Sequence, residues 1–179
     1  MRSILRVTEN NMKNMKKVIV IGCAGSGKSV FSRSFAHLSG LPLYHLDNIW
    51  WREDGSNISR EEFDLRLGEI LERDEWIIDG NYNRTMERRM EACDTVIFFD
   101  LPVDVCIEGI RARKGKIRPD MPWKDAPEDD DKEFMEFVRG YNETHRPCVL
   151  DLIEKYKEKN IVIFKSRKDA EKFLCGVGG

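Results

Sequence analysis

Eight residues constrain this chain more than any other feature: Gly22-Cys23-Ala24-Gly25-Ser26-Gly27-Lys28-Ser29. They match G-x-x-x-x-G-K-[ST], follow the apolar run Val18–Ile21 and open a helical pattern, which is the strand–loop–helix setting this motif requires. The glycines let successive backbone N–H groups turn inward around a phosphate, and the positive end of the following helix adds to the attraction. Lys28 is then the counter-charge for the β- and γ-phosphates, and the Ser29 hydroxyl is a ligand for Mg2+. Val30 follows, where many such loops carry a second hydroxyl, so residues 22–30 form the candidate ATP-binding segment. Cys23 reads as a small loop residue, with a redox-sensitive thiolate as the alternative. The motif specifies a nucleoside triphosphate but not its use, because kinases, switch GTPases and mechanical ATPases share it.

The rest of the chain narrows the class. Its 179 residues suit one domain and bury roughly 70% of the unfolded surface, enough to fold without a disulfide or metal staple. Apolar residues make up 41% and charged residues 35%, and no run approaches the ~18–20 apolar residues of a spanning helix, so no membrane role is expected. Thirty Lys plus Arg against 32 Asp plus Glu give a net charge of −2, which argues against a protein that coats DNA. The five cysteines, at 23, 93, 106, 148 and 175, and the three histidines, His37, His45 and His145, lack metal-ligand spacing. Free thiols point to a reducing, cytoplasmic setting. Residues 1–16 read as a flexible extension, or a start assigned too early, ahead of one domain at 17–179; a monomer or homodimer is expected.

Five short apolar runs predict strands: Val18–Ile21, Leu43–Leu46, Trp76–Ile78, Val96–Phe99 and Ile161–Phe164. Helical patterns alternate with them at Ser29–Leu38, Arg60–Arg73, Thr85–Ala92, Pro102–Lys114 and Lys168–Leu174. Ser59 and Glu62 form a capping-box pattern before the second of these. A long helix is expected over 130–156 with a kink at Pro147. This alternation predicts a doubly wound α/β fold with a parallel sheet, whose ligands bind beyond the carboxyl ends of the strands.

Three aspartates stand at such ends. Asp79 ends Trp76–Ile78, Asp100 ends Val96–Phe99 and Asp47 follows Tyr44-His45-Leu46. Asp100 precedes Leu101-Pro102 and has a structural task at a helix start, so Asp79 is favoured for Mg2+ or its water shell. Asp47 is a candidate for orienting an acceptor hydroxyl or metal-bound water, with a turn-forming aspartate as the alternative.

The segments Asp79-Gly80-Asn81-Tyr82-Asn83-Arg84, Phe99-Asp100-Leu101-Pro102, Arg118-Pro119-Asp120-Met121 and Ser166-Arg167-Lys168, taken with the loop, resemble the adenylate-kinase-related family of DNA topology modulation (FlaR-like) proteins. The similarity runs from Lys17 to Leu174. It implies a P-loop NTPase three-layer sandwich, with a five-stranded parallel sheet of order 2-3-1-4-5 and helices on both faces. It also implies an acceptor-side insert at about 48–73, a short lid at about 114–127, and ATP with Mg2+ as cofactors. By the same resemblance Arg84 binds an acceptor phosphate and Arg113 is a lid arginine, while Gly109 stands where adenylate kinases carry an arginine.

Arg111, Arg113, Lys114, Lys116 and Arg118 place five cations within eight residues. Arginines closing over a transferring phosphoryl group stabilise its charge, so Arg113 and then Arg118 are the catalytic candidates beside Lys28 and Asp79. A solvated basic helix end is the alternative; a nucleic-acid patch lacks interleaved aromatics, and DNA is not an expected partner. Arg139 and Arg146, seven apart, share a face if one helix carries both. Trp50, Trp51 and Trp123 read as packing or as a base platform, and Glu128–Asp131 as a helix start. The expected activity is transfer of the ATP γ-phosphoryl group to a nucleotide or other small acceptor. The alternatives are a kinase of a hydroxylated metabolite and a nucleotide-dependent or DNA-associated regulator; a guanine-specifying Asn-Lys-x-Asp segment is absent.

Overall fold

The computed structural model describes residues 14–115 and 132–177. In chain order its elements are β1 (Lys17–Gly22), α1 (Lys28–Ser39), β2 (Leu43–His45), α2 (Leu46–Trp50), α3 (Arg60–Leu71), β3 (Trp76–Asp79), a 3-10 turn (Asn83–Thr85) and α4 (Met86–Ala92). After them come β4 (Thr95–Phe99), α5 (Val103–Arg113), α6 (Lys132–Arg139), α7 (Tyr141–Thr144), α8 (Arg146–Lys155), β5 (Asn160–Phe164) and α9 (Arg167–Val177). The strands form one parallel sheet of order β2-β3-β1-β4-β5. This is the P-loop order expected from the resemblance.

β1 lies at the centre, and Val18, Ile19, Val20 and Ile21 have no exposed surface. Successive side chains point to opposite faces, so an unbroken apolar run serves a sheet covered on both sides. Val18 and Val20 join Phe31, Phe35, Phe99, Phe164 and Phe173 on the face covered by α1, α5 and α9. Ile19 and Ile21 join Phe63, Leu67, Met90, Phe98 and Val149 on the face covered by α3, α4 and α8. Phe31 meets Phe99 and Phe164 edge-on at 5.4 Å each, a geometry that adds about 0.5–1.5 kcal/mol per pair beyond area burial.

Three local expectations change. The helix expected over 130–156 is α6, α7 and α8 within the described part; Pro147 occupies the first turn of α8, where its missing N–H belongs to a helix start. Arg139 and Arg146 therefore lie on different helices. Ser59 caps α3 by accepting from the Glu62 N–H at 3.1 Å, but the Glu62 carboxylate turns to Arg66 instead of closing the box. The segment at 48–73 begins inside α2, continues through a Trp51–Asn57 bridge and ends beyond α3. Residues 1–13, most of the 114–127 segment, including Arg118 and Trp123, and the run 128–131 lie outside the described residues. Among the described residues, no helix is long and apolar enough to cross a membrane.

Candidate functional site

β1 ends at Gly22 and α1 starts at Lys28, so the loop lies at the carboxyl end of the central strand. The Gly22 N–H donates to Asn81 Oδ1 at 2.8 Å, which ties the loop to the end of β3. Gly25 has φ +80, and a Cβ there would stand 2.1 Å from the Cys106 carbonyl oxygen. Opposite it on α5, a Cβ on Gly109 would stand 2.1 Å from the Gly25 oxygen. The loop and α5 touch backbone to backbone, which explains a glycine at 109 where the resemblance places an arginine. Arg167, from the start of α9, reaches this contact and donates to the Gly25 and Val105 carbonyls at 3.1 and 3.0 Å. Lys28 Nζ donates to the Cys23 carbonyl at 2.9 Å, and Ser26 is buried with a hydroxyl that has no partner among the described residues. Ser29 is half-buried, Ala24 packs against the core, and Val30 is 63% exposed on the outer side of α1. Gly109→Ala is expected to push the loop off α5: overpacking costs about 1–3 kcal/mol, and ATP affinity falls while α5 stays helical. Calorimetric ATP titration with circular dichroism checks both.

Asp79 is 4% exposed; its Oδ2 lies 2.7 Å from His45 Nδ1, and its Oδ1 has no partner among the described residues. Asp47, on α2, accepts from the Tyr82 hydroxyl at 2.8 Å. Tyr82 adopts φ 39, left-handed for a side chain that disfavours it, and stacks on Phe63 at 5.2 Å with Trp50 edge-on at 6.2 Å. Burial first, and the Asp47 carboxylate second, push the Tyr82 phenol well above its ordinary pKa, so it stays a donor. Trp50 thus packs against Phe63 and Tyr82.

What holds this segment carries no mark in the sequence. Arg89, on α4, is fully buried and donates to the Gly80 carbonyl at 2.8 Å, the Tyr82 carbonyl at 3.1 Å and the Asn81 carbonyl. Desolvation pushes its pKa down to about 9. Three consecutive carbonyls are gathered by one guanidinium, whose planar fork suits several acceptors at once. Arg84 lies on the 3-10 turn and makes a bidentate pair with Asp64 of α3, at 2.7 and 2.6 Å, both side chains being partly exposed.

Asp100 is differently engaged. Arg146 holds both its oxygens, at 2.7 and 2.9 Å, and Lys165 bonds Oδ2. Burial alone would raise this carboxyl, but the bonds from Arg146 and Lys165 hold it below the ordinary carboxylate range. A lowered folded-state pKa means that this contribution to stability is complete above an ordinary pKa of about 4 and is lost as pH falls through the lowered value. Asp100→Asn is therefore expected to flatten the acid limb of unfolding free energy against pH below about 4; urea titrations across that range check it, and an unchanged limb contradicts it. Arg113 is the half-buried last residue of α5.

The structure thus gathers the loop at 22–29, Asn81, Asp79, His45, Asp47 and Tyr82 at one end of the sheet, with Asp100 ion-paired beside β5. Among the described residues no group of three or more His, Cys, Asp and Glu forms a metal cluster.

No protein-family model and no curated protein matches the chain. Solved structures do. Shikimate kinase from Acinetobacter baumannii in complex with shikimate superposes with a TM-score of 0.60 at 16% identity, covering 93% of this chain and 94% of that one. A gluconokinase from Sinorhizobium meliloti gives 0.55 at 16% identity over 90% and 91% of the two chains. Shikimate kinase from Bacteroides thetaiotaomicron gives 0.53 at 18% identity over 90% and 95%. At these identities the similarity establishes the fold alone, a five-stranded parallel sheet of order 2-3-1-4-5 with helices on both faces.

Proposed function

We propose that the chain is an Mg2+- and ATP-dependent phosphotransferase acting on a small acceptor. The observation that carries this reading is the phosphate loop fixed between α5 and Asn81, with the unpartnered oxygen of buried Asp79 at the same end of the sheet. The donor set suits the cofactor: glycine-shaped backbone, Lys28, the Ser29 hydroxyl and a carboxylate suit a triphosphate and a hard, oxygen-seeking cation. Bound ATP with Mg2+ supplies the phosphoryl group and bridges its charge. Lys28, which donates to the Cys23 carbonyl, would turn to phosphate oxygens, and Ser29 with Asp79 would hold the metal ion. His45 fixes Asp79 Oδ2, and Oδ1, without a partner among the described residues, is the oxygen that would take Mg2+ or its water. Asp47, oriented by Tyr82, accepts the acceptor hydroxyl's hydrogen bond. Arg113 and Arg118 close over the transferring group, and their charge is needed where oxygens become more negative. Positioning and electrostatics supply the catalysis, so no covalent nucleophile is required.

Two acceptor classes remain in the proposal. Adenylate-kinase-like transfer to a nucleotide uses Arg84 for the acceptor phosphate, which requires opening its pair with Asp64. A hydroxylated non-nucleotide acceptor needs no such opening, and this reading is favoured by the bidentate Arg84–Asp64 pair and by the likeness to shikimate kinase and gluconokinase.

Paired substitutions test the metal side. Asp79→Asn is expected to lower kcat by about 10²-fold or more and to raise the Mg2+ concentration for half-activity, while Asp100→Asn acts mainly on stability. Mn2+ titration followed by electron paramagnetic resonance supplies a readout independent of turnover. Weaker Mn2+ binding in Asp100→Asn than in Asp79→Asn overturns the assignment.

A further inference from the structure

Arg167 opens α9, and a single nitrogen of its guanidinium, Nη2, donates to carbonyls on two different elements. These are Gly25 in the phosphate loop, at 3.1 Å, and Val105 in α5, at 3.0 Å. A Cβ on Gly109 would stand 2.4 Å from the same nitrogen, so this glycine makes room for the arginine as well as for the loop. The anchorage of Arg167 is itself rigid. The Ser166 hydroxyl accepts from the Asp169 N–H at 3.2 Å, and Asp169 Oδ2 accepts from the Ser166 and Lys165 N–H groups at 2.9 and 3.0 Å, a reciprocal cap at the start of α9. Farther along α9, Phe173 packs on Phe31 and Phe35 of α1 with ring centroids 5.8 and 5.9 Å apart. α9 is thus fixed to the helix that the loop leads into.

We propose that Arg167 is a positioning residue for the phosphates of ATP: it holds the Gly25–Ser26 peptide in its binding orientation and so sets ATP affinity without touching the nucleotide. The effect on ATP rests on the reading of this loop as the donor site. Gly25 has φ +80, and a glycine has other backbone wells open to it at little cost, so a contact from outside must select this one. The peptide group joining Gly25 to Ser26 is planar and carries its oxygen and its N–H at opposite ends. Arg167 holds the oxygen, and the N–H donates to the Cys23 carbonyl at 3.3 Å. That Cys23 carbonyl also receives Lys28 Nζ. A continuous chain of hydrogen bonds therefore runs from the cap of α9 through Arg167 and the loop to the lysine.

The charge on Arg167 strengthens both of its bonds. A loop ordered in the free protein need not be ordered when phosphate arrives, and affinity gains what that ordering would have cost. The hold matters more to binding than to folding. Arg167 is exposed, so its removal uncovers little apolar surface and strands no buried charge.

Full-length wild type and Arg167→Met are titrated calorimetrically with ATP and with tripolyphosphate, each with Mg2+, well below the melting temperature of either protein. Both ligands are expected to lose affinity by the same factor, about tenfold, the worth of one charge-assisted hydrogen bond. The factors match because the loop reads phosphates and not the base. In idle ATP hydrolysis the KM for ATP rises by that factor while kcat stays within about twofold, the pattern of lost uniform binding. Hydrogen–deuterium exchange of the nucleotide-free proteins reads the hold itself, and amides of residues 23–28 exchange faster in Arg167→Met. A lowered Tm with both affinities within about twofold of wild type marks a role in stability alone and overturns the proposal. A loss confined to ATP places Arg167 on the base and overturns it too, as does unchanged exchange in the loop. Wild-type protein that binds neither probe overturns the donor-site reading instead; the exchange comparison, made without nucleotide, still decides whether Arg167 holds the loop.

Discussion

Lys28→Ala is expected to lower kcat/KM for phosphoryl transfer by about 10³-fold while the fold persists. The size follows from the role proposed for Lys28, a cation aimed at oxygens that gain charge in the transition state, where a single neutral donor is worth about 10²–10³ and a full charge more. The persistence follows from how little the side chain does for the fold. Lys28 is half-buried and, among the described residues, its ammonium donates to the Cys23 carbonyl, a bond worth about 1 kcal/mol. At this chain length that is about 2–4 °C in Tm. Steady-state ADP release and a thermal melt on the same preparation separate the two quantities. Retained turnover contradicts the role of the loop; a collapse in Tm contradicts the argument that the lysine is held for chemistry.

Arg89→Met carries the largest expected effect on stability. Truncating the guanidinium leaves the Gly80, Asn81 and Tyr82 carbonyls without their donor in a buried place, and each orphaned acceptor costs about 1–3 kcal/mol. Removing a charge that burial already disfavours offsets part of that. The net is about 3 kcal/mol, or roughly 6–12 °C in Tm. The loss extends to the site, because Asn81 also receives the Gly22 N–H and Tyr82 also holds Asp47. ATP affinity is therefore expected to fall in Arg89→Met, and Arg89→Lys does not restore it, since an ammonium lacks the planar fork. Urea unfolding with ATP titration checks both. A Met variant as stable as the wild type shows that the segment is supported by packing alone.

β1, β3 and β4 were legible because each is a short apolar run, and burial on both faces demands that pattern, whereas β2 and β5, at the edges of the sheet, are largely half-buried and were marked by short apolar runs between turn formers. Their ends fell within a residue or two of expectation, and Asp79, Asp100 and Asp47 accordingly came out at the carboxyl edge. The phosphate loop was legible because its chemistry is local, eight contiguous residues. α2 was missed: Leu46-Asp47-Asn48-Ile49-Trp50 is too short for a period to emerge and rich in turn formers. The 130–156 region was overextended because its apolar period runs on through Gly140 and Pro147, although a proline is compatible with a new helix start as well as a kink. The partners that define the site were hidden for another reason. His45 meets Asp79 across 34 positions, Arg146 meets Asp100 across 46, and Arg167 meets Gly25 across 142. Such pairings exist only once the sheet has assembled, and Arg89, one of several charges on a short helix, had no local mark of burial.

The central claim is γ-phosphoryl transfer from ATP to a small acceptor at the carboxyl end of the sheet. The measurement that tests it most directly is ADP release and acceptor phosphorylation, the latter by phosphorus NMR, across nucleoside monophosphates and hydroxylated acids with ATP and Mg2+. The account predicts that one class raises ADP release well above idle hydrolysis, yields a phosphorylated acceptor, and loses both in Lys28→Ala. ATP binding without transfer to any acceptor, joined to tight, salt-sensitive binding of duplex DNA, contradicts it.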